Sequence, residues 1–396
     1  MPTCNSDKIG LYTATIVGVN AMVGAGIFTI PSVLAHDVGP AGILSFTLVA
    51  IGCWFIALSL GRVAQLFPQE GSFYTYSRPW AGHNGGIIAS MFYLLGVIVA
   101  MGLMLQMSGQ YLHHYFPDAS PASLSLFSLA FLTIINIIGV SFSTIGQQIL
   151  LWATLFPIFA TIILCSTKAS FANLVPFCPK GTFSILQSTR IAVFSFFGFE
   201  AAASLFSIIK EPEKNLPKAL SSSMLIVAIL YLLFITTLLL AVPIDIFKHS
   251  DGTLTTPLNI ILPNHGWLIE IIHFASIAAL LGTLHSMVWS AGIFLLTLCK
   301  RLRLYRTQQL IAHGYFTEKT SIILIAGCIY ISFITFTNKS FFYYTAIFIP
   351  VAYAMAIITL LTIPEEWESR QNYITILALA TIALISGFAL QGILFS

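Results

Sequence analysis

The residues with the clearest capacity for chemistry are few, and they sit inside apolar surroundings. Gly24-Ala25-Gly26 lies in the middle of the first long apolar run, with Ile27 and Phe28 next and Pro31 a turn later. Glycine costs about 1 kcal/mol against alanine inside a helix, and two at i and i+2 favour a break. In lipid, the N–H and C=O groups freed by a break must face protein or a cavity. Such a segment either binds a polar ligand through its backbone or lets a neighbouring helix approach closely. A later run holds Phe194-Ser195-Phe196-Phe197-Gly198-Phe199-Glu200, in which Glu200 is the one carboxylate placed deep among apolar residues. A charge at such a depth costs about 2.5–3.5 kcal/mol on insertion scales, so it usually faces an interior or a water-filled path. Glu200 therefore either handles a proton or charge, or ties two helices together by hydrogen bonds. His285, within Gly282-Thr283-Leu284-His285-Ser286-Met287, is the other titratable group in mid-run. Its imidazole could exchange a proton near neutral pH, although donation to a backbone carbonyl is the commoner use.

The elements that must position these residues follow from composition. Of 396 residues, 57% are apolar and only 8% are charged, with a mean hydropathy of +0.92. Soluble domains carry roughly 25% charged residues, so 17 Lys+Arg and 14 Asp+Glu cannot clothe a water-facing body of this size. A soluble enzyme is excluded, and most of the surface must face lipid. The apolar runs are long and unbroken, not the ten-residue alternation of an outer-membrane barrel. At about 20 residues per crossing, eleven spans are expected near 9–34, 41–66, 87–112, 124–143, 146–167, 189–209, 219–242, 266–298, 320–337, 340–362 and 372–395. The fold class expected is an all-α polytopic membrane protein forming a single transmembrane domain over 1–396. The gap at 243–265 has room for a short external helix.

Lys and Arg set the orientation. With the N-terminus inside, the inner segments collect 12 of the 17, whereas Lys168, Lys180, Arg190, Lys248 and Lys339 fall outside. A net charge of +3 spread over short loops gives no basic stripe for nucleic acid. The six cysteines form no C-x-x-C pair and read as small hydrophobes. No metal, cofactor or catalytic residue is expected; no H-E-x-x-H is present, and the acids within spans are too few for a paired-carboxylate site.

The two interrupted runs are the first and the sixth. They would open the halves of a five-plus-five repeat, 9–167 and 189–362, with 372–395 an extra helix. Gly-interrupted segments at corresponding positions of two halves point to the binding site of a carrier. The competing expectations are a channel, which would need a selectivity ring or charged pore lining, and a non-transporting amino acid sensor that binds its ligand without flux.

Three motifs resemble the amino acid–polyamine–organocation permease family. Gly24-Ala25-Gly26-Ile27-Phe28 with Pro31 is similar to its first-helix G-x-G-I-F-x-x-P. The stretch from Pro68 to Gly82 resembles its loop P-x-x-G-G-x-Y-x-Y-x-R-x-x-x-G, with Ser72 replacing the second glycine. Phe196-Phe197-Gly198-Phe199-Glu200, followed by Glu211-Pro212-Glu213-Lys214-Asn215-Leu216-Pro217-Lys218-Ala219, is similar to F-x-G-F-E and N-P-x-R-N-I-P-R-A. The likeness covers about residues 9 to 300. The family usually has twelve helices, and the one missing from the expected eleven would be the last.

This resemblance implies a leucine-transporter-like inverted repeat, broken in helices 1 and 6, that moves amino acids across the cytoplasmic membrane by alternating access. N–H groups of Gly24, Ala25 and Gly26 at the start of a half-helix suit a carboxylate. Carbonyls near Met22 and at Phe194 to Phe197, beside Gly198, would receive the ammonium group. Thr154 stands where proton-coupled members carry a lysine, which favours exchange; with Thr283 and Ser286 it could instead offer oxygens to sodium. Phe194 and Met287 occupy the positions of two tryptophans of the family's arginine–agmatine exchanger, so an arginine preference is not carried over and a neutral or apolar side chain fits at least as well. The expected partners are a small-molecule amino acid or amine and the lipid bilayer, with a homodimer left open.

Overall fold

The computed structural model describes residues 9–24, 26–69, 72–138, 144–200, 202–203, 209–248, 254–302, 305–363 and 369–394. The helices are α1 (Leu11–Met22), α2 (Gly26–Val38), α3 (Gly42–Leu66), α4 (Ser72–His113), α5 (Pro121–Ile138) and α6 (Thr144–Ser166). They continue with α7 (Phe183–Gln187), α8 (Thr189–Ala192), α9 (Pro212–Ala241), α10 (Ile244–Lys248), α11 (Thr255–Ile261) and α12 (Gly266–Arg301). The last are α13 (Tyr305–Ala312), α14 (Glu318–Thr335), α15 (Asn338–Ile357), α16 (Thr359–Thr362) and α17 (Ser369–Leu394). Among the described residues, eight of the spans are helices long and apolar enough to cross a bilayer unbroken. The chain is an all-α polytopic membrane protein.

The eleven runs map onto this order. Span 1 is α1 with α2, span 2 is α3, span 3 the longer part of α4, and spans 4 and 5 are α5 and α6. Span 6 is α8 with the irregular segment after it, and spans 7 to 11 are α9, α12, α14, α15 with α16, and α17. Several packing contacts correspond in pairs when spans 1 to 5 are relabelled 6 to 10 and the reverse. Span 1 packs on 7 as 6 packs on 2, 1 on 5 as 6 on 10, 3 on 10 as 8 on 5, and 3 on 4 as 8 on 9. Spans 2 and 7, 3 and 8, and 4 and 9 each meet their own counterparts. Span 11 packs on spans 2, 6 and 10.

Two departures from the sequence reading matter. The segment read as the loop 67–86 is helical from Ser72, and it bends into span 3 at Gly82, whose φ of 68° and ψ of −169° only glycine adopts easily. Phe73, Tyr74, Tyr76 and Ser77 are buried on one side while Arg78, Pro79 and Trp80 are exposed. This is an amphipathic helix too polar to read as a span. The stretch 243–265 holds two short helices, α10 and α11, not one.

The ends of the spans near the two breaks are tied together. Ile9 and Ile209 form a parallel bridge, with the Lys210 N–H donating to the Ile9 carbonyl at 2.8 Å. At the opposite ends of spans 3 and 8, His273 stacks on His114 with ring centroids 4.1 Å apart, and Glu270 accepts from Tyr115 Oη at 3.2 Å.

Candidate functional site

The first break is a defined turn. α1 stops at Met22, and Val23 takes φ −78° and ψ 60°, the conformation of an inverse γ-turn. Gly24 N–H closes it by donating to the Met22 carbonyl at 2.8 Å. α2 then starts at Gly26, whose first-turn N–H groups have no carbonyl a turn earlier to receive them. Ala25, one of the expected carboxylate donors, lies outside the described residues.

The second break is longer than one glycine. After α8 the chain tightens into a 3-10 turn at Val193–Phe196, and Phe197 becomes extended at φ −70° and ψ 143°. Gly198 sits at φ 117°, a region that side chains other than hydrogen rarely enter.

The two breaks touch each other. A Cβ on Gly26 would lie 3.1 Å from Ser195 Cα, and one on Gly198 would lie 2.5 Å from the Ala21 carbonyl oxygen. A Cβ on Gly24 would lie 2.6 Å from Thr283 Oγ1 of α12. The glycines thus do both things the sequence left open: they interrupt the helices and let backbone approach backbone. Gly18 interrupts no helix and instead lets the Ser223 side chain of α9 approach closely.

Two expected ligand groups are already engaged. The Met22 carbonyl, expected to be open for an ammonium group, accepts Tyr231 Oη at 2.7 Å as well as Gly24 N–H. With both lone pairs used, it is a strut between span 1 and span 7. Gly24, expected to offer its N–H to a carboxylate, has spent it on the same turn. The donors that remain belong to the first turn of α2. Tyr231 also packs against Phe46 and Phe196, so one side chain braces both breaks. Tyr231→Phe keeps that packing and removes one buried hydrogen bond, a loss of about 0.5–1.5 kcal/mol. A small fall in the denaturation midpoint in detergent is the expected result.

Glu200 is buried and bonded. Gly198 N–H donates to Oε2 at 2.9 Å, and Tyr93 Oη of span 3 donates to Oε1 at 3.3 Å. Tyr353 of span 10 lies near the same carboxylate, stacked on Phe73 and tilted against Phe199. The carboxylate therefore pins the second break to span 3 inside an aromatic wall. No hydrogen bond links it to His285, which is buried on α12 and whose carbonyl accepts from Asn136 Nδ2 at 3.3 Å. Thr154 is buried on α6. Phe194 is buried edge-on to Phe342 at 5.5 Å, and Met287 is half-buried on α12.

Sequence reasoning missed Ser195. Its side chain is 1% exposed, and its Oγ has no hydrogen-bond partner among the described residues. A serine between phenylalanines reads as packing; only its contact with Gly26 across the two breaks marks it as a polar group aimed into their junction.

Paired breaks of this kind are shared by known carriers, and comparison with known proteins decides which. The family model described as amino acid permease matches residues 14–304. The chain belongs to the amino acid permease family. Relatives include the branched-chain amino acid permease BcaP of Bacillus subtilis (strain 168), 25% identical over an alignment of 292 residues, with 68% of this chain and 62% of that protein covered. The uncharacterized transporter Rv1999c of Mycobacterium tuberculosis (strain ATCC 25618 / H37Rv) is 23% identical over 283 residues, 71% of this chain and 63% of its own length. Another from that strain, Rv1979c, is 26% identical over 264 residues, 59% of this chain and 55% of its own. This permease thus spans less than two thirds of the length of the curated relatives it matches. The matched region includes both breaks, Glu200 and the amphipathic helix before span 3.

Proposed function

We propose that this permease is a secondary carrier that exchanges α-amino acids across the cytoplasmic membrane by alternating access, with its N-terminus in the cytoplasm. The observation that carries the reading is the contact between the two helix breaks, Gly26 on Ser195 and Gly198 on Ala21. A zwitterion needs donors and acceptors a few ångströms apart. The first turn of α2 supplies N–H groups and the favourable end of a helix dipole, and the irregular backbone of 194–197 supplies carbonyls. Ser195 Oγ is a further group for the carboxylate or ammonium.

The breaks are in van der Waals contact, so a ligand must part them, and the strut from Tyr231 and the Glu200 pin mark the walls against which the moving segments work. Phe194, Phe197 and Met287 give the surroundings of the substrate side chain an apolar character, with no cation or carboxylate among them. A branched or linear apolar side chain fits best, in keeping with the name of the Bacillus subtilis relative. Threonine at position 154, in place of a lysine, supports exchange over proton symport.

The test is uptake of labelled leucine, isoleucine and valine into vesicles containing the purified protein. Preloading with unlabelled substrate should speed uptake severalfold, without a requirement for a proton or sodium gradient. Uptake driven by an ion gradient and indifferent to preloading would replace exchange by symport. Flat uptake across all amino acids and amines would remove the reading altogether.

A further inference from the structure

Away from the breaks, two adjoining cavities of about 360 and 270 Å³ open where the amphipathic helix at 72–81 meets the end of α12. Arg78 and Arg301 line both, and Lys300 lines the larger. Among the described residues, neither cavity has a carboxylate in its wall. Ion pairs among the described residues join His36 to Asp37, His114 to Glu270 and Lys214 to Glu211, and none involves these three cations. Three like charges gathered around a shared space repel one another, and nothing described in the protein neutralises them.

The surroundings are arranged to receive a negative group. The Arg301 guanidinium is held over the Tyr74 ring, 5.4 Å from its centroid, an arrangement that orients the cation without consuming its charge. Tyr74 is fixed in turn by a 2.9 Å hydrogen bond between its hydroxyl and His83 Nδ1. The last carbonyls of α12 would repel an anion, but the Gln308 side-chain amide caps them, donating to Leu302 at 2.6 Å and to Lys300 at 3.3 Å. The Trp80 indole donates to the Met355 carbonyl at 2.7 Å with part of its ring exposed, the posture of an aromatic residue at headgroup depth. The amphipathic helix before the Gly82 bend and the charged end of α12 both border the cavities, which places them at the end of a span.

We propose that this basic recess binds the phosphate of an anionic phospholipid headgroup, with Arg78 and Arg301 as the main cations and Lys300 supporting them. Guanidinium groups suit phosphate because their planar fork gives two parallel hydrogen bonds. Interfacial depth favours a lipid over free phosphate, and basic recesses between membrane helices are a recurring place for such headgroups. The assignment is independent of which amino acid the permease carries.

The test uses the full chain purified in a neutral detergent. Its thermal stability and its bound lipid, read by native mass spectrometry, are measured with phosphatidylglycerol, phosphatidylcholine and inorganic phosphate. Phosphatidylglycerol should raise the denaturation midpoint and remain bound, with phosphatidylcholine and phosphate giving little. R78Q and R301Q should each weaken phosphatidylglycerol binding by about fivefold, and the double variant by more than tenfold. Equal responses to the two lipids, unaltered binding in the double variant, or a response to inorganic phosphate as large as that to phosphatidylglycerol would overturn the proposal. Should the double variant not fold, the lipid comparison on the unaltered protein and the single variants decides the matter.

Discussion

Gly198→Ala should abolish transport and lower the stability of the protein, the largest effect expected from removing so little space. At φ 117° a residue with a side chain is strained by about 1–3 kcal/mol. The added methyl would also lie 2.5 Å from the Ala21 oxygen and 2.7 Å from its carbonyl carbon. Those are backbone atoms at the end of α1 and cannot rotate away, so one break must shift against the other. Overpacking of this sort costs about a further 1–3 kcal/mol. The denaturation midpoint should fall by several degrees and exchange by more than tenfold. Gly327→Ala, where nothing lies within 4 Å of the added atom, is the matched control: it should leave exchange unchanged and raise the midpoint slightly, as alanine replacing glycine inside a helix does. Normal exchange by the Gly198 variant would mean that contact between the breaks is not needed in the working cycle.

The second large effect is at Glu200, where two substitutions separate its roles. Glu200→Ala leaves Gly198 N–H and Tyr93 Oη without their acceptor in a buried place. Each orphaned donor costs about 1–3 kcal/mol, and the vacated volume adds to the loss. Glu200→Gln keeps a carbonyl oxygen for Gly198 and nearly the same shape, but it can neither ionise nor carry a proton. We expect the alanine variant to be strongly destabilised and inactive. The glutamine variant should fold with near-normal stability and show an altered pH dependence of turnover. Denaturation curves and uptake across pH 5 to 8 on the same preparations check both. Equal destabilisation by the two substitutions would contradict the hydrogen-bonded role, and an unchanged pH profile in the glutamine variant would reduce Glu200 to a strut.

Much of this architecture is legible in the sequence, because a bilayer imposes simple rules on composition and length. Charge scarcity, run length and the positions of Gly24, Gly26 and Gly198 locate the spans and their interruptions. The parts that escape depend on residues far apart in the chain. That the Met22 carbonyl is occupied follows from Tyr231, 209 residues later, and the partner of Glu200 is 107 residues earlier. No local pattern joins them. The helix at 72–81 was hidden for a different reason: its buried aromatic face and exposed Arg78 satisfy amphipathic periodicity, which a search for continuous apolar runs passes over. Ser195 escaped because its significance is relational, arising only where Gly26 comes against it.

The central claim is that substrate seats between the two breaks, and substrate protection of a cysteine at position 195 tests it most directly. Ser195→Cys would be made in a background lacking Cys4, Cys178, Cys299 and Cys328, and the purified variant exposed to a small thiol reagent with and without saturating amino acid. Binding of the same amino acid would be read in parallel as a rise in denaturation midpoint, because a ligand selective for the folded state stabilises it. The expected result is modification during cycling that slows at least tenfold when the amino acid is bound. A modification rate indifferent to an amino acid that demonstrably binds would place the substrate elsewhere and contradict the account.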